Sequence, residues 1–297
     1  MTLTSSNTVD FYQRRKHGKY RLVSAPKLGP VADTHCHLEM LEDPAWAFIR
    51  CALHNVTFVC CVIDSVDDGQ AGIDIVEEAY DKAKSELPKV LENLDDYCQD
   101  KNSICDDPKI PELRYIIGCH PHYAKDFNDD IYELIKNPKC VAVGEIGLDF
   151  HYDLSPREVQ IEVFKKQLKI AEEAKLPVSL HIREAHDVAL DNIKFSKYGT
   201  LLHCFNLGPE ELKPWVDAGC YIALGGPVTF KKSDNVREAL KYIPEDKLVT
   251  ETDAPFMAPE PLRGDVCYPD YVIFTANFLG RDLNQLMDNA RRLLWRP

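Results

Sequence analysis

Two histidines one residue apart, His35 and His37, form the first group in this chain that could bind a metal ion. They follow an apolar segment, Val31 to Thr34, that is predicted to be a β-strand. Side chains of a strand alternate between its two faces, so both imidazoles could point to the same ion. A lone His-x-His motif is weak evidence. A metal site therefore requires further ligands from the rest of the chain.

Histidines and carboxylates also follow the ends of later predicted strands. They are His120 and His122 after the third strand, Glu145 after the fourth, His181 at the end of the fifth, His203 at the end of the sixth and Asp253 after the eighth. A mixture of imidazoles and carboxylates suits zinc, manganese, iron or nickel better than calcium. Each group alone could be an ordinary loop residue, but their shared position predicts a metal centre.

Two ions are the natural number for this ligand set. We predict one ion held by His35, His37 and Asp253, a second held by His181 and His203, and Glu145 bridging the two. Ions about 3.5 to 4 Å apart activate a water and stabilise the attacking and leaving oxygens of a displacement. The predicted chemistry is hydrolysis.

Apolar, strand-like runs alternate with amphipathic helical stretches from Val31 onward, which is typical of a parallel sheet built from βα units. The predicted strands are Val31–Thr34, Thr57–Ile63, Arg114–Gly118, Cys140–Gly144, Pro177–His181, Thr200–Cys204, Cys220–Leu224 and Leu248–Glu251. Eight strands predict a (β/α)8 TIM barrel, whose active site lies at the carboxyl ends of the strands. We expect this barrel to be a single domain, residues 31–297.

Helices are predicted between and after these strands. They are Ala45–His54, Pro156–Ala174, Asp187–Lys194, Pro209–Ala218, Asp234–Tyr242, Asp270–Leu279 and Leu283–Trp295. The acidic segment 68–111 is longer than a barrel requires, and we predict a charged hairpin of two helices, Gly72–Ser85 and Pro88–Gln99, on the barrel exterior. A solvated surface is favoured for this insertion over a role in screening substrates.

Residues 1–30 are predicted to be an N-terminal extension that packs over the outside of the domain. Its basic cluster consists of Arg14, Arg15, Lys16, Lys19 and Arg21. A solvated tail is favoured for these residues over a contact with a nucleic-acid backbone.

The composition is that of an ordinary globular protein, with 297 residues, 45% hydrophobic and 28% charged. No apolar run approaches the roughly 18 residues of a membrane span, and no signal peptide is recognisable, so we expect a cytoplasmic protein. The net charge of −13 disfavours non-specific adhesion to nucleic acid. A phosphate substrate would need a locally positive site, which divalent ions can provide.

The chain contains 11 cysteines, an odd number, and no Cys-x-x-Cys pair. This pattern favours reduced, buried thiols over disulfides or a thiolate zinc site. Cys36, Cys119 and Cys204 neighbour candidate ligands, but strand alternation predicts that they turn away from them, into packing.

Seven motifs resemble, in order, those of the TatD family of metal-dependent deoxyribonucleases, which are amidohydrolase-type barrels. They are Asp33-Thr34-His35-Cys36-His37-Leu38, Gly118-Cys119-His120-Pro121, Gly144-Glu145-Ile146-Gly147-Leu148-Asp149-Phe150-His151, His181-Ile182-Arg183-Glu184-Ala185, His203-Cys204-Phe205, Gly226-Pro227-Val228-Thr229-Phe230-Lys231 and Glu251-Thr252-Asp253-Ala254-Pro255. The resemblance extends from Val31 to about Leu294.

The resemblance implies two divalent ions per subunit, zinc, manganese or magnesium. Its implied ligands are His35, His37, Glu145 and Asp253 for one ion and Glu145, His181 and His203 for the other. Asp253 would also orient or deprotonate the attacking water. His120 would contact the substrate phosphate, the alternative being a loop-bracing role. Arg183, two residues beyond His181, would present a bidentate fork to the same phosphate or form a structural salt bridge.

The activity implied by the resemblance is removal of nucleotides from the 3′ end of single-stranded DNA. The alternative is hydrolysis of another ester, such as that of a D-aminoacyl-tRNA, while the intact ligand set argues against a non-catalytic binding protein. Neither a membrane nor an obligate protein partner is expected. Two departures from the family pattern, Asn206-Leu207-Gly208 and Cys267-Tyr268, predict differences in loop shape and substrate fit but not in the metal ligands.

Overall fold

The computed structural model describes residues 22–98, 100–193 and 197–294. Eight parallel strands pair in chain order, each with the next, which confirms the predicted (β/α)8 barrel. The strands are β1 Val31–Cys36, β2 Val56–Asp64, β3 Glu112–Gly118, β4 Cys140–Asp149, β5 Val178–Arg183, β6 Thr200–Leu202, β7 Tyr221–Leu224 and β8 Leu248–Thr250.

Threonines help to join the first strand to the last. The hydroxyl of Thr34 donates to the carbonyl of Thr250 at 3.0 Å, and the hydroxyl of Thr250 donates to the carbonyl of Ala32 at 2.7 Å. One further bridge pairs Cys36 with Ala254. These bonds bring the carboxyl ends of β1 and β8 together, where two of the candidate ligand groups lie.

Helices cover the outside of the barrel. They are α1 Pro44–Leu53, α2 Gly69–Glu92, α3 Ile131–Leu134, α4 Arg157–Ala174, α5 His186–Leu190, α6 Pro209–Asp217, α7 Asp234–Ala239, α8 Val272–Leu279 and α9 Leu283–Leu294. Alternate residues of β2 fall into two apolar clusters, as expected for a strand buried on both faces. None of the helices that the structure describes is long and apolar enough to span a membrane.

The prediction of two helices in the acidic segment is wrong. A single helix, α2, continues through Pro88, and short 3-10 turns at Leu94–Asp96 and Lys101–Ser103 follow it. Proline within a helix costs about 3 kcal/mol because it removes one hydrogen bond and crowds the preceding turn. The buried stripe of α2, however, continues past Pro88 from Leu87 to Val90, and its packing outweighs that cost.

The described part of the extension packs on the barrel exterior. The Leu22 amide donates to the Tyr97 carbonyl at 2.8 Å, Leu22 and Ala25 are buried, and Ser24 donates to the Asp100 carboxylate at 2.5 Å. The basic cluster at residues 14–21 lies outside the described residues. The domain boundary at residue 30 stays a prediction.

Candidate metal centre

The carboxylate of Glu145 lies at the centre of a group of five imidazoles. Its Oε2 atom lies 3.4 Å from His35 Nε2 and 3.7 Å from His37 Nε2, while its Oε1 atom lies 2.7 Å from His181 Nδ1, 3.1 Å from His203 Nε2 and 3.7 Å from His120 Nε2. The two oxygens therefore face two different sets of histidines. This is the arrangement expected of a carboxylate shared between two cations.

Asp253 joins the set on the Oε2 side. Its Oδ1 atom lies 3.6 Å from His37 Nε2 and 3.9 Å from His35 Nε2. The Asp253 amide donates to the His35 carbonyl at 2.9 Å, which fixes the backbone after β8 against the end of β1. The structure thus brings together all six residues that the sequence predicts as metal ligands, while the roles assigned to them stay predictions.

Irregular strand pairing directs two of these side chains. The register between β1 and β2 shifts between Asp33 and Cys36, and that between β4 and β5 shifts between Val143 and Ile146. Such irregularities re-aim side chains near active sites. They flank His35 and Glu145, respectively. His35 lies inside β1 and Glu145 inside β4. The predictions that they follow these strands are wrong, because β1 continues to Cys36 and β4 to Asp149.

The donor set fits metal ions. Both ring nitrogens of His35 are buried and make no hydrogen bond to any described residue. A buried polar atom without a partner is costly, and a cation at Nε2 would remove the cost at that nitrogen. Burial raises the pKa of Glu145, but the neighbouring His203, His120 and His35 lower it well below its ordinary value overall. The central ligand is therefore an ionised carboxylate.

Three carboxylates lie behind the histidines, and two of them, Asp149 and Glu251, are hydrogen-bonded to the ring in front of them. Glu39 lies 3.6 Å from His37 Nδ1, Asp149 lies 3.2 Å from His181 Nε2, and Glu251 lies 3.4 Å from His203 Nδ1. In each case the opposite nitrogen faces Glu145. A carboxylate behind a ligating histidine fixes its tautomer and raises its basicity. Sequence reasoning missed these three roles, although Asp149 and Glu251 lie within the quoted motifs.

The comparisons with known proteins agree with this geometry. The model of the family described as TatD related DNase matches residues 32–293. The chain belongs to this family. The matched residues include all of β2 to β8, β1 from Ala32 onward, and all six candidate ligands of this TatD-family protein.

Curated TatD relatives carry two kinds of name. The chain is 40% identical over 167 residues to the uncharacterized metal-dependent hydrolase YabD of Bacillus subtilis, covering 54% of this chain and 66% of YabD. It is 39% identical over 162 residues to the 3′-5′ ssDNA/RNA exonuclease TatD of Salmonella typhimurium, and this match covers 52% of this chain and 62% of the relative. The chain is 34% identical over 200 residues to the protein of the same name from Erwinia billingiae, and this match covers 61% of this chain and 77% of the relative. The chain thus spans slightly less than two thirds of the length of the first two.

Solved TatD structures share the fold. A crystal structure of YjjV, a TatD homolog from Escherichia coli K12, aligns with a TM-score of 0.70 at 23% identity, covering 90% of this chain and 98% of that one. A TatD family hydrolase from Entamoeba histolytica aligns with a TM-score of 0.67 at 17% identity, covering 91% and 99%. At these identities the likeness shows the barrel alone.

His120 has a different arrangement from the other imidazoles around Glu145. Its Nδ1 accepts a hydrogen bond from the His122 amide at 3.2 Å. In the neutral ring the proton is therefore on Nε2, the nitrogen that points to Glu145. A protonated nitrogen donates a hydrogen bond but cannot bind a metal. The geometry favours a donor to an anionic oxygen, which is the role implied for His120 by its motif.

His122 and Arg183 lie on the same side of the centre. His122 Nε2 lies 2.9 Å from Asp149, the carboxylate that also holds His181. Arg183 is exposed at the end of β5, and its guanidinium stacks 4.6 Å above the ring of Tyr152. No salt bridge joins Arg183 to a carboxylate within the described ranges. The edge of the Arg183 guanidinium is therefore accessible to a ligand. The contact of Arg183 with a substrate phosphate stays a prediction.

The 11 cysteines are all free, and nine of them are buried, as expected. Cys36 and Cys119 pack in the interior. The packing prediction for Cys204 is wrong: its side chain is half-buried, and its sulfur lies within 4.8 Å of ligand atoms of His203 and Asp253. The reason is that β6 ends at Leu202 and Cys204 has a φ of 50°, so strand alternation no longer applies.

Proposed function

We propose that this protein is a metal-dependent phosphodiesterase that removes nucleotides from the 3′ end of single-stranded DNA. The observation that supports this proposal most strongly is the position of Glu145, with one oxygen towards His35 and His37 and the other towards His181 and His203. Centres of two metal ions are used by nucleases and phosphatases. Relatives named as 3′-5′ ssDNA/RNA exonucleases point to the same substrate class.

The proposed ligands divide into two sets that share Glu145. His35, His37 and Asp253 would hold one ion, and His181 and His203 would hold the other. Zinc, manganese and magnesium are the candidate ions. When bound, two such ions supply positive charge at the phosphate and lower the pKa of a water towards neutrality.

The remaining steps belong to side chains of this protein. Asp253 accepts the proton of the attacking water, because its carboxylate is the only predicted ligand carboxylate besides the shared Glu145. Burial raises the pKa of Asp253, but hydrogen bonding to His37 and the charges of His203 and His35 lower it overall, so the base is ionised. His120 donates a hydrogen bond from its Nε2–H to a non-bridging phosphate oxygen, and Arg183 contacts the same phosphate from β5.

The free, mostly buried thiols fit a reducing compartment, and the cytoplasm is the proposed location. The proposed partner is the nucleic-acid substrate.

The experiment is a substrate panel. Protein loaded with manganese, magnesium or zinc is incubated with end-labelled single-stranded DNA, with duplex DNA and with D-aminoacyl-tRNA, in parallel with a chelator and with the Asp253→Asn variant. We expect stepwise shortening of the single strand from its 3′ end, lost on chelation and in the variant. Deacylation of the tRNA without cleavage of DNA under any metal would replace the proposed activity by the other ester hydrolysis.

A further inference from the structure

Three basic side chains on one part of the barrel mouth have no carboxylate partner. Lys231 and Lys232 follow β7 and Arg263 follows β8, and all three are exposed. No ion pair joins any of them to a carboxylate within the described residues. Of the 17 other lysines that the structure describes, at least 11 pair with a carboxylate, as Lys136 does with Glu133. What sets Lys231, Lys232 and Arg263 apart is their position together at the carboxyl ends of neighbouring strands, the face of the barrel that carries the metal centre.

The two loops that carry these cations are packed against each other. The Glu260 amide donates to the Thr229 hydroxyl at 2.8 Å. A Cβ on Gly226 would lie 1.8 Å from the Met257 carbonyl oxygen, so the loops are in direct backbone contact there. The guanidinium of Arg263 stacks 4.1 Å from the centre of the Phe230 ring. Arg263 therefore lies beside Lys231 and Lys232 rather than on a separate surface.

The loop after β7 is held in a fixed shape. The Arg237 guanidinium donates to the carbonyls of Phe230 at 2.6 Å, Val228 at 3.1 Å and Lys231 at 3.2 Å. Three carbonyl bonds to one side chain order the backbone before any ligand arrives. Pre-ordering of this kind lowers the entropy cost of binding.

An exposed aromatic ring lies beside the metal centre, on the loop after β8 that also carries Arg263. Phe256 is 39% exposed, and its ring centre lies 6.2 Å from that of His37 in an edge-to-face arrangement. Its amide donates to the Asp253 carbonyl at 2.8 Å, which fixes the residue to the catalytic loop. An exposed phenylalanine beside a proposed phosphodiesterase centre is suited to stacking on a base next to the reacting phosphate.

We propose that these residues form a binding track for single-stranded nucleic acid. The track consists of Phe230, Lys231, Lys232, Phe256 and Arg263, here called the basic rim. Phe256 stacks on the base beside the reacting phosphate, and the three cations neutralise phosphates further along the strand. This inference rests on the proposed phosphodiesterase function. It adds the residues that would select a single strand, because only an unpaired base offers its face to a ring and duplex bases are already stacked.

The charge of the rim is tested by the salt dependence of binding. Affinity for a fluorescent 12-nucleotide single strand is measured by anisotropy in the uncleaving Asp253→Asn background. Changing Lys231 and Lys232 to glutamine should reduce the slope of log affinity against log salt by about 1.4, since each single-strand phosphate contact contributes about 0.7. The matched control changes Lys82 and Lys89, two exposed lysines of α2 without a carboxylate partner among the described residues, and should leave the slope unchanged.

The aromatic part of the rim is tested by Phe256→Ala and Phe256→Leu. Each should weaken binding of the single strand by about 5- to 150-fold, the usual effect of losing one stacked base, while duplex affinity changes little. Thermal melting of each variant checks that the barrel is folded. Leucine keeps the apolar volume, so an effect shared by both variants is assigned to stacking.

The outcomes separate this inference from the proposed function. If the wild type shortens single-stranded DNA but the rim variants keep its salt slope and affinity, the rim is wrong and the proposed function stands. If the control pair changes the slope as much as the rim pair, binding is not localised and the rim is also wrong. A wild type that neither binds nor cleaves nucleic acid would overturn both.

Discussion

Replacing Asp149 by asparagine changes one oxygen into an amide nitrogen behind the metal-facing histidine of β5. The Oδ2 atom of Asp149 lies 3.2 Å from His181 Nε2, while Oδ1 accepts from the amides of His151 and Tyr152 at 3.0 and 2.9 Å. The remaining side-chain oxygen of asparagine can still accept the hydrogen bonds from the amides of His151 and Tyr152. Its amide nitrogen, however, can only donate to His181 Nε2.

A ring nitrogen that accepts a hydrogen bond carries no proton, so the proton of His181 moves to Nδ1. Nδ1 is the nitrogen that lies 2.7 Å from Glu145 and would hold the ion. A protonated nitrogen has no lone pair for a metal. Loss of a carboxylate behind a ligating histidine usually weakens metal binding by about 10- to 100-fold, which is about 1.4 to 2.7 kcal/mol. We expect this loss for one of two ions only.

The assay is a metal titration in competition with a chromophoric chelator, performed below the melting temperature of each variant. Wild type should bind two ions per chain, and Asp149→Asn should retain one at unchanged affinity. The matched control is Asp153→Asn on the same loop, where the exposed carboxylate pairs with Arg157 and has no contact with the centre. If folded Asp149→Asn protein binds both ions with the wild-type affinities, the proposed role of this carboxylate is refuted.

Three further substitutions test other parts of the molecule. Asp253→Asn should keep the fold and at least one ion while lowering turnover by about 10²- to 10⁴-fold in steady-state kinetics, because it removes the base; near-normal turnover would refute the assignment. His120→Ala should raise KM by about 10- to 150-fold with metal content unchanged, the effect of one hydrogen bond to a charged group; loss of metal with normal KM would contradict it. Asp270→Asn should destabilise the protein by about 3 to 5 kcal/mol in urea unfolding at pH 7, because it leaves the buried Arg50 without its ion pair. Burial raises the pKa of Asp270 but Arg50 and His54 lower it overall, so its stabilisation is present above the unfolded pKa of about 3.9 and is lost as the pH falls through the folded value. The difference in free energy of unfolding between Asp270→Asn and wild type should therefore become smaller below about pH 4. A difference that stays constant from pH 7 to pH 2 would count against this account.

The barrel and the position of its centre were predictable because strands buried on both faces appear in sequence as continuous apolar runs. The carboxyl ends of such strands meet at one face of the barrel, so residues at those ends can be assigned to one site from their spacing alone. His203, directly after β6, and Asp253, after β8, are examples. This reasoning needs no knowledge of individual side-chain contacts.

Contacts that depend on local geometry were not predictable. Glu145 lies within β4 because the strand continues to Asp149, past a register shift that leaves no mark in the composition of the strand. Asp149 and Glu251 could not be assigned as partners of His181 and His203, because this depends on which ring nitrogen faces the centre. The continuation of α2 through Pro88 is decided by tertiary packing, which local propensity does not include.

The basic rim was also missed, for a related reason. Phe230 and Arg263 are 33 positions apart, and only the packing of the loops after β7 and β8 brings them together. The overall acidity of the chain indicated weak affinity for nucleic acid, but average charge does not describe local charge. The rim and the metal centre together would provide the positive surface that a phosphate substrate requires.

The most direct test of the two-ion phosphodiesterase is a stoichiometric metal titration of nuclease activity. Metal-free protein receives zero to three equivalents of manganese, and the release of nucleotides from a 5′-labelled single strand is followed at each step. Activity should rise with occupancy and reach its maximum at two ions per chain, with nucleotides lost from the 3′ end. Full activity at one equivalent, or an intact strand with two ions bound, would contradict the account.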